Sequence, residues 1–350
     1  MRRPAKPIAG GKAGTAAKAG TAAMAGALAL GACSAHGDGA ARGTTARLNA
    51  ALAASLPSSQ RFDLGKPSYD LWRHKNLQDG TVMQSFAFDA AHKRLYVAQV
   101  SGASGSEARG DLTVTQLDFS GKKLGYMHLK GFGHGVSIGV EPSGSSAYLW
   151  TETDAEKFTD STGKTTTRGK NLARFKFVNM GTVTNTSSAL TKYTPVSGQS
   201  NATPAIDPIN DRLAMRYKKG GQFRIAVWKL SDVKARNYGA KLVDIAQPAT
   251  VKPDFQGYTL YGRYLYLFNG TAYSASNPKP GNSYISAVDL NTGKVVGKPV
   301  FTQAGSTLSY REPEGLAIYK AGSQLRLFLG FASGSSGARQ ANLFYKKDLV

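Results

Sequence analysis

The sequence lacks most of the features that would assign a function directly. It has one cysteine, Cys33, so no disulfide can form within the chain and no cysteine-rich zinc site is available. It contains no G-x-S-x-G, no H-E-x-x-H, no P-loop and no credible dinucleotide fingerprint. Acidic residues are few, 22 against 44 lysines and arginines, which gives a formal net charge of +22 over 350 residues. The enzyme classes that those motifs mark are therefore excluded, and a strongly basic chain is left.

The first 33 residues contain no acidic residue and five basic ones, and they end in the short apolar stretch AAMAGALALGA. This order is typical of an export signal, and the stretch is too short and too rich in Ala and Gly to span a membrane. The residues LGAC that end at Cys33 resemble the lipobox of bacterial lipoproteins. We therefore predict a signal over residues 1–33 with a lipid on Cys33, or else a plain signal peptide and a freely secreted protein. Residues 34–60, rich in Ala, Gly and Ser, are expected to form a flexible tether.

Loss of the signal would remove five positive charges and leave about +17 on the exported part. Outside a cell, this charge favours anionic partners such as cell-wall polymers or acidic polysaccharides, although it could serve solubility alone. No helix-turn-helix pattern or aromatic RNA-binding signature accompanies the charge, so no specific nucleic acid is expected. The predicted location is extracellular, with a membrane contact through the lipid if Cys33 is acylated.

One pattern occurs five times along the chain. Each copy has an alternating apolar strand, a short polar turn and a second strand dominated by Leu, Tyr, Val or Phe. The apolar residues before the turns are 52, 66, 54 and 58 residues apart. The five copies span residues 84–97, 134–150, 202–215, 256–268 and 314–329.

A third strand and usually a weaker fourth follow each copy. Four strands per unit at near-constant spacing predict an all-β, five-bladed β-propeller over residues 61–350. We expect the protein to be a monomer. A two-sheet sandwich or two unrelated β domains are the alternatives. The last unit reaches Val350 after only three strands, so its missing strand should come from residues 62–77, closing the ring.

In a propeller, the residues that precede the innermost strands should converge on one face. In three copies an amide or acid precedes a Gly or Ser: Gln84–Ser85, Gln256–Gly257 and Glu314–Gly315. In a fourth copy, His134–Gly135 is a variation of this pattern. A glycine there would let the backbone approach a ligand closely. Asp254 and Glu312 precede two of these strands as well. The predicted ligand-binding residues are Gln84, His134, Asn201, Gln256, Arg311 and Glu314.

Catalysis is left open, with His134, Glu312 and Glu314 as candidates. Glu312 and Glu314 could act as acid and base, could hold a calcium ion, or could pair with Arg311 to lock the ring closure. No cofactor is required by the sequence, and no metal site is assigned. The acidic segment TETDAEKFTD (151–160) lacks the order of a calcium loop, so a solvated loop is expected there.

Several long motifs are similar to those of one family. PSYDLWRHKNLQDGTVMQSFAFD, GFGHGVSIGVEP, GNSYISAVDLNTG and YREPEGLAIY resemble the TagC-like β-propeller family. It includes proteins named for teichoic acid biosynthesis, propeller domains of phage receptor-binding proteins, and helveticin-type bacteriocins. The resemblance covers about residues 61–350 and implies a five-bladed propeller that recognises wall glycopolymers. It carries over no catalytic residue.

Three functions follow as hypotheses. The first is an exported propeller that binds an anionic, teichoic-acid-like cell-wall glycopolymer. The second is an enzyme on such a polymer, a polysaccharide lyase or a glycosidase or phosphodiesterase. The third is an antibacterial protein of helveticin type.

Overall fold

Alternation of apolar and polar residues produces twenty-one strands in the part of the chain that the computed structural model describes, residues 55–159, 163, 165–251 and 254–350. Two short helices, α1 (Ser106–Arg109) and α2 (Leu230–Lys234), interrupt them. Strand β1 (Tyr69–Asn76) comes first in the chain. Blade 1 contains β2 (Met83–Asp89), β3 (Arg94–Val100), β4 (Leu112–Asp118) and β5 (Lys123–Lys130).

The next blades repeat this antiparallel order, with the first strand of each unit at the inner edge. Blade 2 contains β6 (Gly139–Ser143), β7 (Ser146–Thr159), β8 (Thr165–Lys176) and β10 (Leu190–Tyr193), while β9 (Thr182–Thr184) pairs in parallel with β5 at the outer edge of blade 1. Blade 3 contains β11 (Ser200–Asp207), β12 (Arg212–Lys219), β13 (Gln222–Lys229) and β14 (Val243–Ala246). Blade 4 contains β15 (Phe255–Tyr261), β16 (Tyr264–Asn269), β17 (Tyr284–Asp289) and β18 (Lys294–Phe301).

Blade 5 takes its fourth strand from the other end of the chain. It contains β19 (Glu312–Ala321), β20 (Gln324–Ser333) and β21 (Gln340–Lys346), and β1 pairs antiparallel with β21. Tyr69 lies opposite Tyr345, and Asn76 lies opposite Gln340. The predicted all-β, five-bladed propeller with an N-terminal strand in its last blade is therefore confirmed.

Each sheet buries its faces against neighbouring blades, which explains why no single unit needs a core of its own. The Phe88 ring of blade 1, for example, lies 4.6 Å from the Phe328 ring of blade 5, centroid to centroid. Aromatic contacts of this kind add to the stabilisation that comes from burying apolar area. The ring of blades is thus closed by packing as well as by the β1–β21 ladder.

Part of the predicted tether is attached to the propeller. Leu56 is buried, its N–H donates to Asn291 Oδ1 at 2.8 Å, and the Asn291 amide donates back to its carbonyl at 2.9 Å. The Arg263 N–H donates to Ser59 Oγ at 3.0 Å. Leu56 and Ser59, which fall within the predicted tether, therefore contact blade 4, and the domain boundaries stay a prediction. The signal, Cys33 and the tether up to residue 54 lie outside the described residues, within which no helix is long and apolar enough to cross a membrane.

A histidine joins blades 1 and 2 on the turn side of their inner strands. His92 Nδ1 lies 2.7 Å from Asp89 Oδ2, and its Nε2 lies 2.7 Å from the Gly144 carbonyl oxygen. Both partners are acceptors, so both ring nitrogens must carry protons to satisfy them. The hydrogen bond to Asp89 is the main reason that the pKa of His92 is raised above its ordinary value of 6.5.

We expect this contact to make stability depend on pH. A raised pKa in the folded state stabilises the fold fully below the unfolded value, and the effect is lost as pH rises through the folded value. Relative to His92→Gln, the native protein should melt at a higher temperature near about pH 5, and the difference should vanish by about pH 9. Thermal unfolding of both proteins across this range measures it. A difference that stays constant with pH would contradict an imidazolium at this position.

Candidate functional site

Four of the five innermost strands are irregular at the same end of the propeller. The antiparallel register shifts between Met83 and Ser85 in β2, between Ser200 and Thr203 in β11, and at matching places in β15 and β19. A bulge leaves its extra residue out of the ladder and turns that side chain away from the sheet. The residues at these bulges include Gln84, Asn201, Gln256 and Glu314, which the sequence analysis predicted as ligand contacts.

The small residue that follows each polar one lets the strands meet at the propeller axis. Ser85 Oγ donates to the Gly135 carbonyl at 2.6 Å, joining blades 1 and 2. A Cβ on Gly257 would lie 2.8 Å from Gly315 Cα, and one on Gly315 would lie 2.9 Å from Ser85 Cα. Both glycines have positive φ, +137° and +76°. A small residue after each polar one is thus required for the inner strands to approach one another at the axis. The polar side chains before them lie at one end of the propeller.

Above this layer lies a cavity of about 970 Å³, which we call the central cavity. Every blade contributes to its wall. The structure brings together five of the six predicted ligand-binding residues and the further candidate Glu312, and their role as ligand contacts stays a prediction. Those lining it are Gln84, His134, Asn201, Gln256, Glu312 and Glu314.

Arg311 is the exception, and the structure corrects its predicted role. Its side chain is fully buried behind the wall and does not line the central cavity. It donates to the carbonyls of Ala304 (2.9 Å) and Thr302 (2.7 Å) and to Ser283 Oγ (3.0 Å). The pairing of Arg311 with a glutamate, which the sequence left open, is not among these contacts. Arg311 therefore holds the segment before β19 in place, and a ligand in the cavity would not reach it.

His134 is positioned by a carboxylate that the sequence analysis misread. The N–H groups of His134 and Gly135 donate to Glu152 Oε1 at 2.8 and 2.6 Å, and the Gly169 N–H donates to Oε2. Burial raises the pKa of Glu152, while Arg168 and these three donors oppose the rise. The glycine-rich loop folds around this buried carboxylate, which explains why it needs glycines.

The segment TETDAEKFTD is therefore not a solvated loop, and that expectation was wrong. Most of it belongs to β7, where Glu152 and Thr153 are buried. Alternation was hidden because polar side chains occupy both faces. His134 Nδ1 lies 3.0 Å from Thr166 Oγ1 on β8, so the long β7–β8 hairpin fixes the imidazole at the cavity wall.

One side of the central cavity is a set of cations and phenyl rings, which we call the cation–aromatic wall: Phe158, Arg168, Arg216, Lys218, Phe223 and Phe255. Arg216 is at its centre, with only 5% of its surface exposed. Its Cζ lies 3.6 Å from the Phe223 ring centre and 3.9 Å from that of Phe255, and its Nε donates to Gln247 Oε1 at 2.6 Å. Burial lowers the pKa of Arg216 to about 9, so it stays charged at neutral pH.

No carboxylate of the described residues lies within ion-pair distance of Arg216. This contrasts with other arginines, such as Arg174, which pairs with Glu141 at 2.7 Å. Arg168 adds repulsion to Arg216, and the Lys218 ammonium lies 5.4 Å from the Phe158 ring centre. A buried cation without a counter-charge is costly, so a bound anion would stabilise it. Sequence analysis missed this wall because it considered only residues before the innermost strands.

The remaining wall carries acceptors. Glu312 accepts a hydrogen bond from the Tyr310 hydroxyl at 2.6 Å, and Arg339 stacks on the Tyr310 ring at 3.3 Å. Burial, and then this contact with Glu312, raise the pKa of Tyr310. With Gln84 and Gln256, the two glutamates form a set of carboxylates and amides that can accept hydrogen bonds from hydroxyls. Within the described residues, no group of three or more His, Cys, Asp or Glu side chains could hold a metal ion.

Below the bulges the axis is filled. Four of the five apolar residues that precede the turns of the repeats, Phe88, Val140, Ile206 and Ile318, line a void of only about 20 Å³. A void this small has room for about one water molecule. The central cavity is thus a blind depression on one face of the propeller.

Comparison with known proteins gives consistent matches. Residues 82–345 match the model of a phage five-bladed β-propeller receptor-binding platform domain. Over 292 residues the chain is 28% identical to the Bacillus subtilis (strain 168) protein named "Putative major teichoic acid biosynthesis protein C", covering 81% of this chain and 63% of that one. The tail fiber of Staphylococcus aureus phage P68 has a similar fold, with a TM-score of 0.63 and 23% identity, over 80% of this chain and 52% of the fiber. The chain thus spans less than two thirds of either relative.

Proposed function

The chain belongs to the family of phage five-bladed β-propeller receptor-binding platform domains, and on that premise we propose that it binds an anionic cell-surface glycopolymer in the central cavity. The observation that carries this proposal is Arg216. Its two faces are covered by phenyl rings and its Nε is used by Gln247, so the edge with the Nη atoms is what a ligand can meet. A planar fork of this kind suits the paired oxygens of a phosphodiester or carboxylate.

Neighbouring groups fit the same ligand. Lys218 and Arg168 line the same cavity and add positive charge beside Arg216. Across the cavity, the carboxylates and amides can accept hydroxyl hydrogens of a sugar or polyol. A polymer that alternates anionic groups and hydroxyl-bearing units would satisfy both sides.

A cell-surface or extracellular location follows from the same proposal. The names of the two relatives refer to teichoic acid biosynthesis and to a phage tail fiber. The export signal over residues 1–33, the lipid on Cys33 and free secretion as its alternative stay predictions.

The test is a binding experiment with purified wall polymer at several salt concentrations. Binding should weaken steeply as salt rises from about 50 to about 200 mM, because cationic side chains release counterions from the polymer. Lys218→Gln should lower affinity and reduce the slope of log K against log salt by about one. Lys298→Gln, which removes an exposed charge from the outer strand of blade 4, is the matched control and should leave the slope almost unchanged.

The same samples decide between binding and catalysis. Polymer that is recovered intact after incubation supports a binding protein. Soluble fragments that disappear with His134→Ala would support the enzyme alternative. Absence of binding at low salt would contradict the proposed function.

A further inference from the structure

The face of the propeller opposite the central cavity has a character of its own. We call it the turn face, because it is formed by the turns that follow the innermost strands, such as residues 90–93 after β2 and residues 208–211 after β11. The bulges that line the central cavity are at the other end of these strands. A ligand in the cavity therefore leaves the turn face uncovered.

Large apolar side chains that are exposed in the described part of the chain lie on or beside the turn face. Leu124, Val178 and Met180 are neighbours at the outer edge of blade 1, where the Met180 N–H donates to the Tyr126 carbonyl at 2.6 Å. Exposed apolar side chains gathered at one end of a molecule mark an interaction site. The whole set is Tyr69, Leu124, Val178, Met180, Ile209 and Val350.

Every blade also contributes an exposed lysine at or beside a strand end on this side. None of these lysines has a carboxylate within ion-pair distance among the described residues. Their ammonium groups are therefore available to an external anion. In the order of the blades, they are Lys93, Lys176, Lys229, Lys294 and Lys320.

Most carboxylates on this side are directed inward, where they hold the turns. Asp207 is fully buried and accepts hydrogen bonds from three backbone N–H groups. Asp289 pairs with Arg263, and Asp89 pairs with His92 at 2.7 Å. The charge that points outward from the turn face is therefore mainly positive. Among the described residues, the exposed carboxylates of this face are Asp70 and Asp211.

The chain also joins the propeller at the turn face. Leu56 is bonded to Asn291 in the β17–β18 turn, and Ser59 accepts a hydrogen bond from the Arg263 N–H in the β15–β16 turn. The part of the chain that carries the predicted lipid on Cys33 thus joins the propeller on the side away from the central cavity.

We infer that the turn face docks on an anionic lipid surface, with the central cavity directed away from that surface. Lysines near such a surface are attracted by the charge of the headgroups, and apolar side chains beside them enter the boundary between headgroups and acyl chains. Tyr69 suits this boundary because its ring is apolar and its hydroxyl is polar, and the Lys347 ammonium lies 4.3 Å from its ring centre.

The apolar side chains are the reason to choose lipid over a second anionic polymer. A hydrated polymer would satisfy the lysines but would bury little of the apolar surface, whereas a lipid boundary satisfies both. The inference does not rest on the proposed function, since it uses the opposite face.

Flotation with lipid vesicles tests the inference. The full chain with Cys33→Ser is used, so that no attached lipid can contribute. It should bind vesicles of phosphatidylglycerol and phosphatidylcholine in about equal parts at about 50 mM salt. Vesicles of phosphatidylcholine alone should bind at least about tenfold more weakly, because they carry no net charge.

Two triple variants separate the turn face from the net charge of the chain. Lys93→Gln, Lys176→Gln and Lys294→Gln together should lower vesicle affinity by about 100-fold, since each lysine at an anionic surface contributes about fivefold. The matched control removes three exposed lysines from the cavity end and should lower it by less than about threefold. Its substitutions are Lys157→Gln, Lys219→Gln and Lys279→Gln.

Val178→Ser combined with Met180→Ser tests the apolar contribution. Both side chains are exposed, at 53% and 69%, so the melting temperature should be unchanged. Vesicle affinity should fall by about tenfold while its dependence on salt is retained, because no charge is altered. Binding of wall polymer should be unchanged, and Arg216→Met should in turn leave vesicle binding unchanged.

The outcomes are distinguishable. Equal losses in the two triple variants, or no binding to the mixed vesicles at low salt, would overturn the inference and leave the proposed function intact. A turn-face triple variant that loses affinity for wall polymer but not for vesicles would assign this face to the polymer, which would also overturn the inference. Vesicle binding without any polymer binding would contradict the proposed function alone.

Discussion

Arg216→Met should reduce affinity for the anionic polymer by about 30-fold to 100-fold without lowering the melting temperature. The loss corresponds to about 2–3 kcal/mol, which is usual for a charge-assisted hydrogen bond. Stability should be retained because the substitution removes a buried charge that no carboxylate of the described residues compensates, and methionine packs well between Phe223 and Phe255. Isothermal titration and thermal unfolding of one preparation measure both quantities.

Arg311→Met is the matched control, since Arg311 is also buried. Its guanidinium is bonded to two carbonyls and a hydroxyl, and these acceptors would be left buried without donors. We expect a loss of about 3–5 kcal/mol in the free energy of unfolding. If Arg216→Met were the more destabilised variant and still bound polymer normally, Arg216 would be a structural residue and the proposed site would be wrong.

Gly315→Ala should destabilise the propeller and disrupt the central cavity together. Its φ of +76° costs an L-residue about 1–2 kcal/mol, and the clash at 2.9 Å with Ser85 Cα should add about 1–3 kcal/mol of overpacking. To relieve the clash, β19 must move away from β2, which displaces Glu314 and Gln84 at the bulges. Chemical denaturation and polymer binding provide the measurements.

Gly322→Ala is the matched control, which separates the backbone cost of replacing glycine from the cost of the clash at the propeller axis. This glycine has a φ of +60° in the turn that follows β19, but an added Cβ would have nothing within 4 Å. It should cost only the backbone term of about 1–2 kcal/mol and leave binding unchanged. Equal destabilisation of the two variants would mean that the blades do not depend on close approach at Gly315.

The fold was predictable because its information is local. Period-2 alternation marks each strand, and the five repeats recur often enough to count the blades and to show that the last lacks a strand. The position of the ligand-site candidates followed from the same reasoning, since the residue before each inner strand must lie near the axis. The bulges that aim those residues could not be seen, because a bulge is a property of pairing between two strands.

The cation–aromatic wall was not predicted, because its cations lie on a second strand and reach the site only through strand pairing. Arg216 and Lys218 are at the far end of β12, and antiparallel register places them opposite Thr203 and Ser200 at the start of β11. A search of second strands beside first strands would have found them. Glu152 could not be predicted from strand pairing, because the residues next to it in the sequence do not distinguish a buried carboxylate from a solvated one.

The apolar filling beneath the central cavity also limits how a long ligand can be held. Because the axis is filled below the cavity, a polymer strand that enters the cavity cannot pass through the propeller to the far side. Under the proposed function, each protein molecule should bind a short exposed stretch of polymer from above and should dissociate without sliding to a chain terminus. Occupancy along one polymer should then rise with its length, with neighbouring molecules excluding one another only by their own width.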